Sequence, residues 1–552
     1  MTRIDRREFL RRTALLSAST ALIMAGCQTG APASSAGPGT ATAAASITPK
    51  RGGTLTWGQS LVNDELDPAL SGAGGGQEIV SQIYDTLVAL ADDYSVVPRL
   101  AARWTVDDGG RKFTFMLRDD VRFHDGTLLD ANAVKASWER VLDPTTKSPN
   151  VAQFGPIASI DAPDPRTVIV NYKQPYPPLL IQAWRTSFAI VSPKVLASLK
   201  KGDKITTPVG SGPFKYAGRS ADGVVTLEPF ADYVWGPSTR SNRGAPFLQQ
   251  VKLRVITEPG TRVATLESGE SLFVDEVPEG DYQRLKADTR FRFTTIPVPG
   301  TPLGFYFNVK KPPLDDQSVR DAINFAVDRQ AILDKVFFGI GKVEMSIAGH
   351  GVAGRLDDFD NKYPFDPAKS RQLLDAAGWQ TGADGIRAKA GQRLSLILAT
   401  YRPAWGQIAQ VLQSQLRTVG IDVQIQSTPQ PAYLDFVRRY QHHMAETAGA
   451  VGDFGQLFNR YHSSQIAITN YVNLADPTLD GLLDKGNQQQ IGSPERKQTY
   501  DDAQRRLMGV TPGVFVLAQV KIQGYAAKVR GFRGFGPEPQ WGANLCDVWL
   551  ES

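Results

Sequence analysis

The clearest pattern of apolar and polar positions in the chain runs from Phe305 to Leu333. Phe305, Phe307 and Val309 alternate with Tyr306 and Asn308, the two-residue period of a half-buried strand. The segment 310–313 ends the strand, because two prolines remove two backbone donors. Asp315, Asp316 or Ser318 can then cap a helix whose apolar stripe is Val319, Ala322, Ile323, Ala326, Val327 and Leu333.

Similar punctuation recurs elsewhere. The pattern predicts a helix over 77–90, a hairpin turn at 107–110, and an alternating strand over 112–117. After a turn at 123–126, Asp130 caps a helix that turns Val134, Trp138 and Val141 inward. Downstream, 363–379 predicts a helix started by Pro367 and stopped by Gly378. The segments 394–400, 408–419 and 421–426 read as strand, helix and strand, which suggests a parallel pair with a helical crossover.

With 552 residues, 41% hydrophobic and 21% charged, the chain can bury more than one core. Its net charge of +5 is partly a property of the N-terminal segment. Without residues 1–26 the balance falls to about +2, and no basic patch with interleaved aromatics remains, which argues against nucleic acid as a partner.

The first 26 residues read as a targeting segment. Arg6-Arg7-Glu8-Phe9-Leu10-Arg11 resembles a twin-arginine export motif. The small, apolar stretch 13–26 is shorter than the roughly 20 residues that span a bilayer. Met24-Ala25-Gly26-Cys27 resembles a lipobox, in which Cys27 would be acylated and become the new N-terminus; the alternative is a plain cleaved signal peptide. Residues 27–50, rich in Ala, Ser, Thr, Gly and Pro, predict a flexible tether. The only other cysteine is Cys546, so a lipidated Cys27 would leave no disulfide.

The wording of several blocks is more specific than their periodicity. They are 305–333, the block 100–142 with its Phe123-His124-Asp125-Gly126, the opening Gly52-Gly53-Thr54-Leu55, and Pro208 to Phe214. In this order they closely resemble the extracytoplasmic solute-binding proteins of ABC importers, in the peptide/nickel-binding family (solute-binding family 5). The resemblance runs from about 51 to 552. It implies an α/β, two-lobed periplasmic-binding-protein-like fold of the large, cluster C type with a hinged ligand cleft. Lobe I would comprise 51–298 with 520–552 returning to it, lobe II 299–519, and the hinge would lie near 297–302.

Signatures of catalysis or nucleotide binding are missing from the sequence: no GxSxG, HExxH, Walker motif or CxxC. The Gly-rich run 72–76 lacks P-loop spacing and reads as a loop. His124 reads as a structural residue of its turn. His442, His443 and His462 are the only histidines near one another, and an adjacent pair usually faces opposite ways. No metal, cofactor or catalytic residue is therefore expected.

Binding chemistry is better represented. Asp453 resembles the acidic residue with which peptide-binding relatives hold a ligand's α-amino group, although Ala450 stands where those relatives have Trp. Tyr401, Arg402 and Trp405 follow a strand at its carboxyl end, where ligands of α/β lobes sit. Arg402 could meet a carboxylate and Trp405 could stack on a ring. Tyr306 and Asn308 lie on the polar face of their strand. The expected function is a monomeric, lipid-anchored receptor outside the cytoplasmic membrane. It would capture a peptide-like or other small polar solute and deliver it to permease subunits and their ATPase. A receptor for a metal chelate, an oligosaccharide or an opine, and a secreted hydrolase, are the alternatives.

Overall fold

The computed structural model describes residues 48–60, 65–71, 76–91, 95–447, 453–533 and 545–551. Arg6, Arg7, Cys27, most of the tether and Ala450 therefore lie outside the described residues.

The strands sort into two large sheets. The first has seven strands in the order Phe291–Pro297, Val520–Ala526, Phe273–Val274, Thr54–Gln59, Gln250–Val255, Val225–Pro229 and Phe214–Arg219. Thr54–Gln59 runs parallel to both of its neighbours, and the other pairings are antiparallel. The second sheet has six strands in the order Lys342–Val343, Gly513–Ala518, Leu303–Phe307, Met444–Glu446, Ser395–Thr400 and Asp422–Ser427. Ser395–Thr400 is parallel to Asp422–Ser427, with helix Pro403–Arg417 between them in sequence, as the alternation predicts. A four-stranded antiparallel sheet, Ala101–Asp107, Lys112–Leu117, Thr167–Tyr172 and Ile157–Asp164, carries a separate core around Phe113, Phe115 and Trp138.

Among the described residues no strand crosses from one large sheet to the other, and the chain passes between them in two short segments. One joins Phe291–Pro297 to Leu303–Phe307, and the other joins Gly513–Ala518 to Val520–Ala526. They run side by side: Pro297 pairs with Val520, and Val298 donates its N–H to the Gln519 carbonyl at 2.8 Å.

Local predictions hold where a polar side chain closes a helix end. Asp130 and Asp316 each accept a hydrogen bond at 2.8 Å from the backbone N–H of Ala133 and Ser318, and the helix expected to start at Pro367 is also capped by Asp366 through the Lys369 N–H at 2.8 Å, which the sequence did not single out. Gly378 takes the left-handed conformation (φ +85°) after Pro367–Ala376. In the 208–214 loop, a Cβ on Gly210 would lie 2.2 Å from the Ile83 carbonyl oxygen, so only glycine fits there. His124 ties that loop down through Nε2 at 2.9 Å from the Gly212 carbonyl, and burial pushes the imidazole down to about 4.

Three predictions are corrected. Leu303–Phe307 is buried at every position, because helices cover both faces of its sheet; the alternation marks two cores, not one core and solvent. The expected single helix after it is two, Gln317–Ala326 and Arg329–Val336. Val327 turns extended (ψ 112°), and Asp328 caps the second helix through the Ala331 N–H at 2.8 Å. Finally, the helix expected over 77–90 ends at Ile83, because Val88–Leu90 pairs with Val96–Pro98.

Candidate ligand-binding site

A cavity of about 900 Å³ lies between the hairpin side of the four-stranded sheet and the helices beside the second large sheet. The turn Asp108–Gly110 places Val106, Asp107 and Asp108 on one wall, with Phe113, Pro177 and Leu180. Opposite stand Ala353, Gly354, Asp453, Phe454, Arg496 and Tyr500. Aromatic and aliphatic surface with a few fixed charges is the usual make-up of a small-molecule site.

Asp453 is held from two directions. It caps the turn Phe454–Gln456, with Oδ1 accepting from the Gly455 N–H at 2.8 Å. Arg496, on helix Pro494–Val510, grips both carboxylate oxygens at 2.8 Å. The guanidinium also donates to the Gly486 carbonyl at 3.1 Å and lies over the Tyr500 ring. Burial opposes the Arg496 charge, but Asp453 outweighs it and raises the guanidinium's pKa. The pair therefore presents little net charge to the cavity.

A narrow recess of about 20 Å³ shares Asp453 and Phe454 with the cavity. It reaches Gly300 and Thr301 in the first crossing segment, and Ile347, Ala348, Val352, Gln456, Leu457 and Arg460 complete it. The segment bearing Ile347 and Ala348 is shaped by buried Glu344, which accepts from the N–H groups of Met345 and Ser346 at 3.0 Å and pairs with Arg355 at 2.6 Å.

At the carboxyl ends of Ser395–Thr400 and Met444–Glu446 a second buried carboxylate gathers four donors. Glu446 accepts from the Thr400 hydroxyl at 2.6 Å, the N–H groups of Tyr401 and Arg402 at 3.0 and 3.3 Å, and Arg402 Nε at 2.5 Å. The Arg402 guanidinium also donates to the Thr447 carbonyl and lies 3.5 Å from the Trp405 ring centroid.

The parallel strands of the first large sheet end differently. Asp275 accepts from the Ser60 N–H at 2.7 Å and lies 3.6 Å from Arg262. Glu276 pairs with Lys521 on the returning strand at 3.1 Å, and Glu78 accepts from Gln59 at 2.9 Å. Burial, reinforced by neighbouring carboxylates, pushes Glu78 up to about 8 and Asp275 up to about 7. Burial also raises Glu276, but Lys521 outweighs it and holds that carboxyl below its ordinary value.

Of the residues singled out in the sequence, Asp453 lines the cavity. Tyr401 and Arg402 are half-buried at the strand end and line neither the cavity nor the recess; Tyr401 packs on Tyr433 and Arg402 is engaged by Glu446. Tyr306, Asn308 and Trp405 are packed inside and line neither space. The Tyr306 ring meets Tyr461 and Phe515 in the core that covers the second face of its sheet. Asn308 bonds to the His442 carbonyl and to Asn473. The Trp405 indole lies under Arg402 and donates to the Thr447 hydroxyl at 3.3 Å. His442 and His443 point apart, the first to the Tyr471 carbonyl and the second to the Ile397 N–H. Among the described residues no group of His, Cys, Asp and Glu is arranged to hold a metal, and no helix is long and apolar enough to cross a membrane. Sequence reasoning missed Arg496, Arg355, Glu446 and Arg460, none of which sits in a recognisable motif.

Residues 95–465 match the model of the bacterial extracellular solute-binding proteins, family 5, and the chain belongs to that family. It is 26% identical to NikA from Brucella suis, solved in complex with Fe(III)-EDTA, covering 90% of this chain and 100% of that one with a TM-score of 0.80. It is 27% identical to the binding protein AgaA from A. tumefacien R10, solved with agropinic acid, covering 91% and 99% with a TM-score of 0.72. The glutathione-binding protein GsiB of Shigella flexneri serotype 5b is 29% identical over 65% of this chain, and the match spans 66% of that protein's length. The fold is thus the two-lobed α/β fold of periplasmic binding proteins.

Proposed function

We propose that the chain is the solute-binding component of an ABC importer. Exported by the Arg6-Arg7 signal and anchored through lipid on Cys27, it works outside the cytoplasmic membrane as a monomer. It captures a peptide-like or other small polar solute between lobe I (51–298 with 520–552) and lobe II (299–519). Closure about the paired crossing segments commits the solute, which passes to permease subunits powered by their ATPase. The protein itself does no chemistry.

One observation carries this reading. The 900 Å³ cavity has one wall on the hairpin side of lobe I and the other on lobe II, so movement about the crossing segments changes its volume. Ligand contact is assigned first to Asp453, and second to Tyr401 and Arg402 at the end of Ser395–Thr400. The ligands named for the similar proteins, glutathione, Fe(III)-EDTA and agropinic acid, are all small, polar and carboxylate-bearing. They favour an opine or a metal chelate as the second reading of the solute.

Native mass spectrometry of the purified protein tests the proposal. A discrete small mass lost on denaturation is the expected result, and its identity names the solute class. A protein that is always free of ligand, and that no peptide, opine, chelate or sugar stabilises in a thermal-shift panel, would overturn it.

A further inference from the structure

Three arginines beside the site have their own carboxylate: Arg402 with Glu446, Arg355 with Glu344, and Arg496 with Asp453. Arg460 has none. It stands one residue before the end of the short helix Leu457–Tyr461, is half-buried, and lines the recess beside the crossing segment. Among the described residues no carboxylate lies at ion-pair distance from it; Asp453, which shares the recess, is occupied on both oxygens by Arg496. The rest of the lining is largely apolar, with Ile347, Ala348, Val352 and Leu457. Half-buried beside this lining and without a carboxylate of its own, the guanidinium can accept an anionic group of a solute as its partner. Burial raises the Tyr471 hydroxyl, and the neighbouring Arg460 and Arg438 charges oppose that rise.

We propose that Arg460 is the specificity-determining cation of the site, and that the solute carries a carboxylate which docks against it in the recess. The inference rests on the receptor reading above and narrows it: the recess, at about 20 Å³, takes a terminal group and leaves the body of the solute in the 900 Å³ cavity. It also departs from anchoring by an amine, because an ammonium at Asp453 would have to displace Arg496. Since Gly300 and Thr301 line the same recess, a docked carboxylate would lie against the hinge itself.

The test is calorimetric titration of the wild-type protein, Arg460→Gln and Arg460→Lys. The probes are glutathione, citrate, octopine and trialanine, each paired with its ester or amide, plus maltose and putrescine as solutes without a carboxylate. The expected binder is one of the acids, with its masked analogue at least tenfold weaker. Arg460→Gln should lose about 10–100-fold for the acid and nothing for the masked analogue, and Arg460→Lys should recover part of the loss. Unchanged melting temperatures for both variants exclude misfolding as the cause. An acid preference that survives in Arg460→Gln, or tight binding of maltose, putrescine or a masked analogue alone, overturns the inference and leaves the receptor reading standing. No binding by any probe overturns the inference, and the receptor reading then stands or falls by the native mass spectrometry and the wider thermal-shift panel.

Discussion

The two lobes finish their parallel strands in opposite electrostatic styles. In lobe I, Glu78, Asp275 and Glu276 crowd around Lys521 and Arg262, and two of the three carboxyls are pushed toward neutrality. Beside the second sheet Glu446, Glu344 and Asp453 each have a guanidinium of their own, and Arg460 in the recess has no carboxylate at ion-pair distance among the described residues. Crowded like charges raise one another's proton affinity, whereas matched pairs stay ionised and fix geometry. The carboxyl cluster of the first sheet should therefore respond to pH, while the paired carboxylates beside the second offer a stiff, nearly neutral platform next to Arg460.

The contrast can be broken from its strongest side first. Glu446→Ala strips Arg402 and two backbone N–H groups of their acceptor, and should cost about 3–5 kcal/mol in urea unfolding. A loss below about 1 kcal/mol would mean that the lobe II pairs are not the rigid element. Arg496→Met leaves Asp453 without its cation. The expected cost is smaller, about 2 kcal/mol, because the Asp453 side chain is 19% exposed and water can replace part of the contact.

Lobe I is probed next, with Glu78→Gln. A carboxyl held at about 8, against an ordinary value near 4.5, binds its proton more tightly in the folded chain than in the unfolded one. Stability from this group is thus full below about 4.5 and declines as pH rises through about 8. The variant should melt with the wild type at pH 4 and about 3 °C above it at pH 8.5. Identical melting at both pH values would remove the lobe I half of the comparison. The smallest effect belongs to the surface: Arg254 and Glu270 pair at 2.5 Å with side chains 53% and 54% exposed. Arg254→Ala should change stability by less than about 0.5 kcal/mol, and that difference should vanish in 1 M salt.

What could be seen in the sequence was local. Asp130 and Asp316 lie within three residues of the N–H groups they cap, and Gly378 stops a helix by its own backbone angle. The parallel pair around helix Pro403–Arg417 follows from a strand–helix–strand order about thirty residues long. The site depended on distance along the chain. Arg402 meets Glu446 44 residues away, and Arg496 meets Asp453 43 residues away. No period or motif links such positions. Tyr306 and Trp405 misled for a related reason: one amphipathic pattern serves both a wetted face and a second core, and only the covering helices decide between them.

The returning strand Val520–Ala526 has a consequence for the order in which the molecule can be made. It lies inside the first sheet, between Phe291–Pro297 and Phe273–Val274, and not at its edge. During synthesis those two strands emerge more than 200 residues before the strand that joins them. Until then each presents an open edge that could pair with another chain. The second sheet waits as well: its strand Gly513–Ala518 sits between Lys342–Val343 and Leu303–Phe307 and is made directly before Val520–Ala526, so the two sheets close in quick succession. The first sheet is thus left open over the more than 200 residues made between Phe291–Pro297 and the strand that closes it, and it becomes continuous only when that strand arrives.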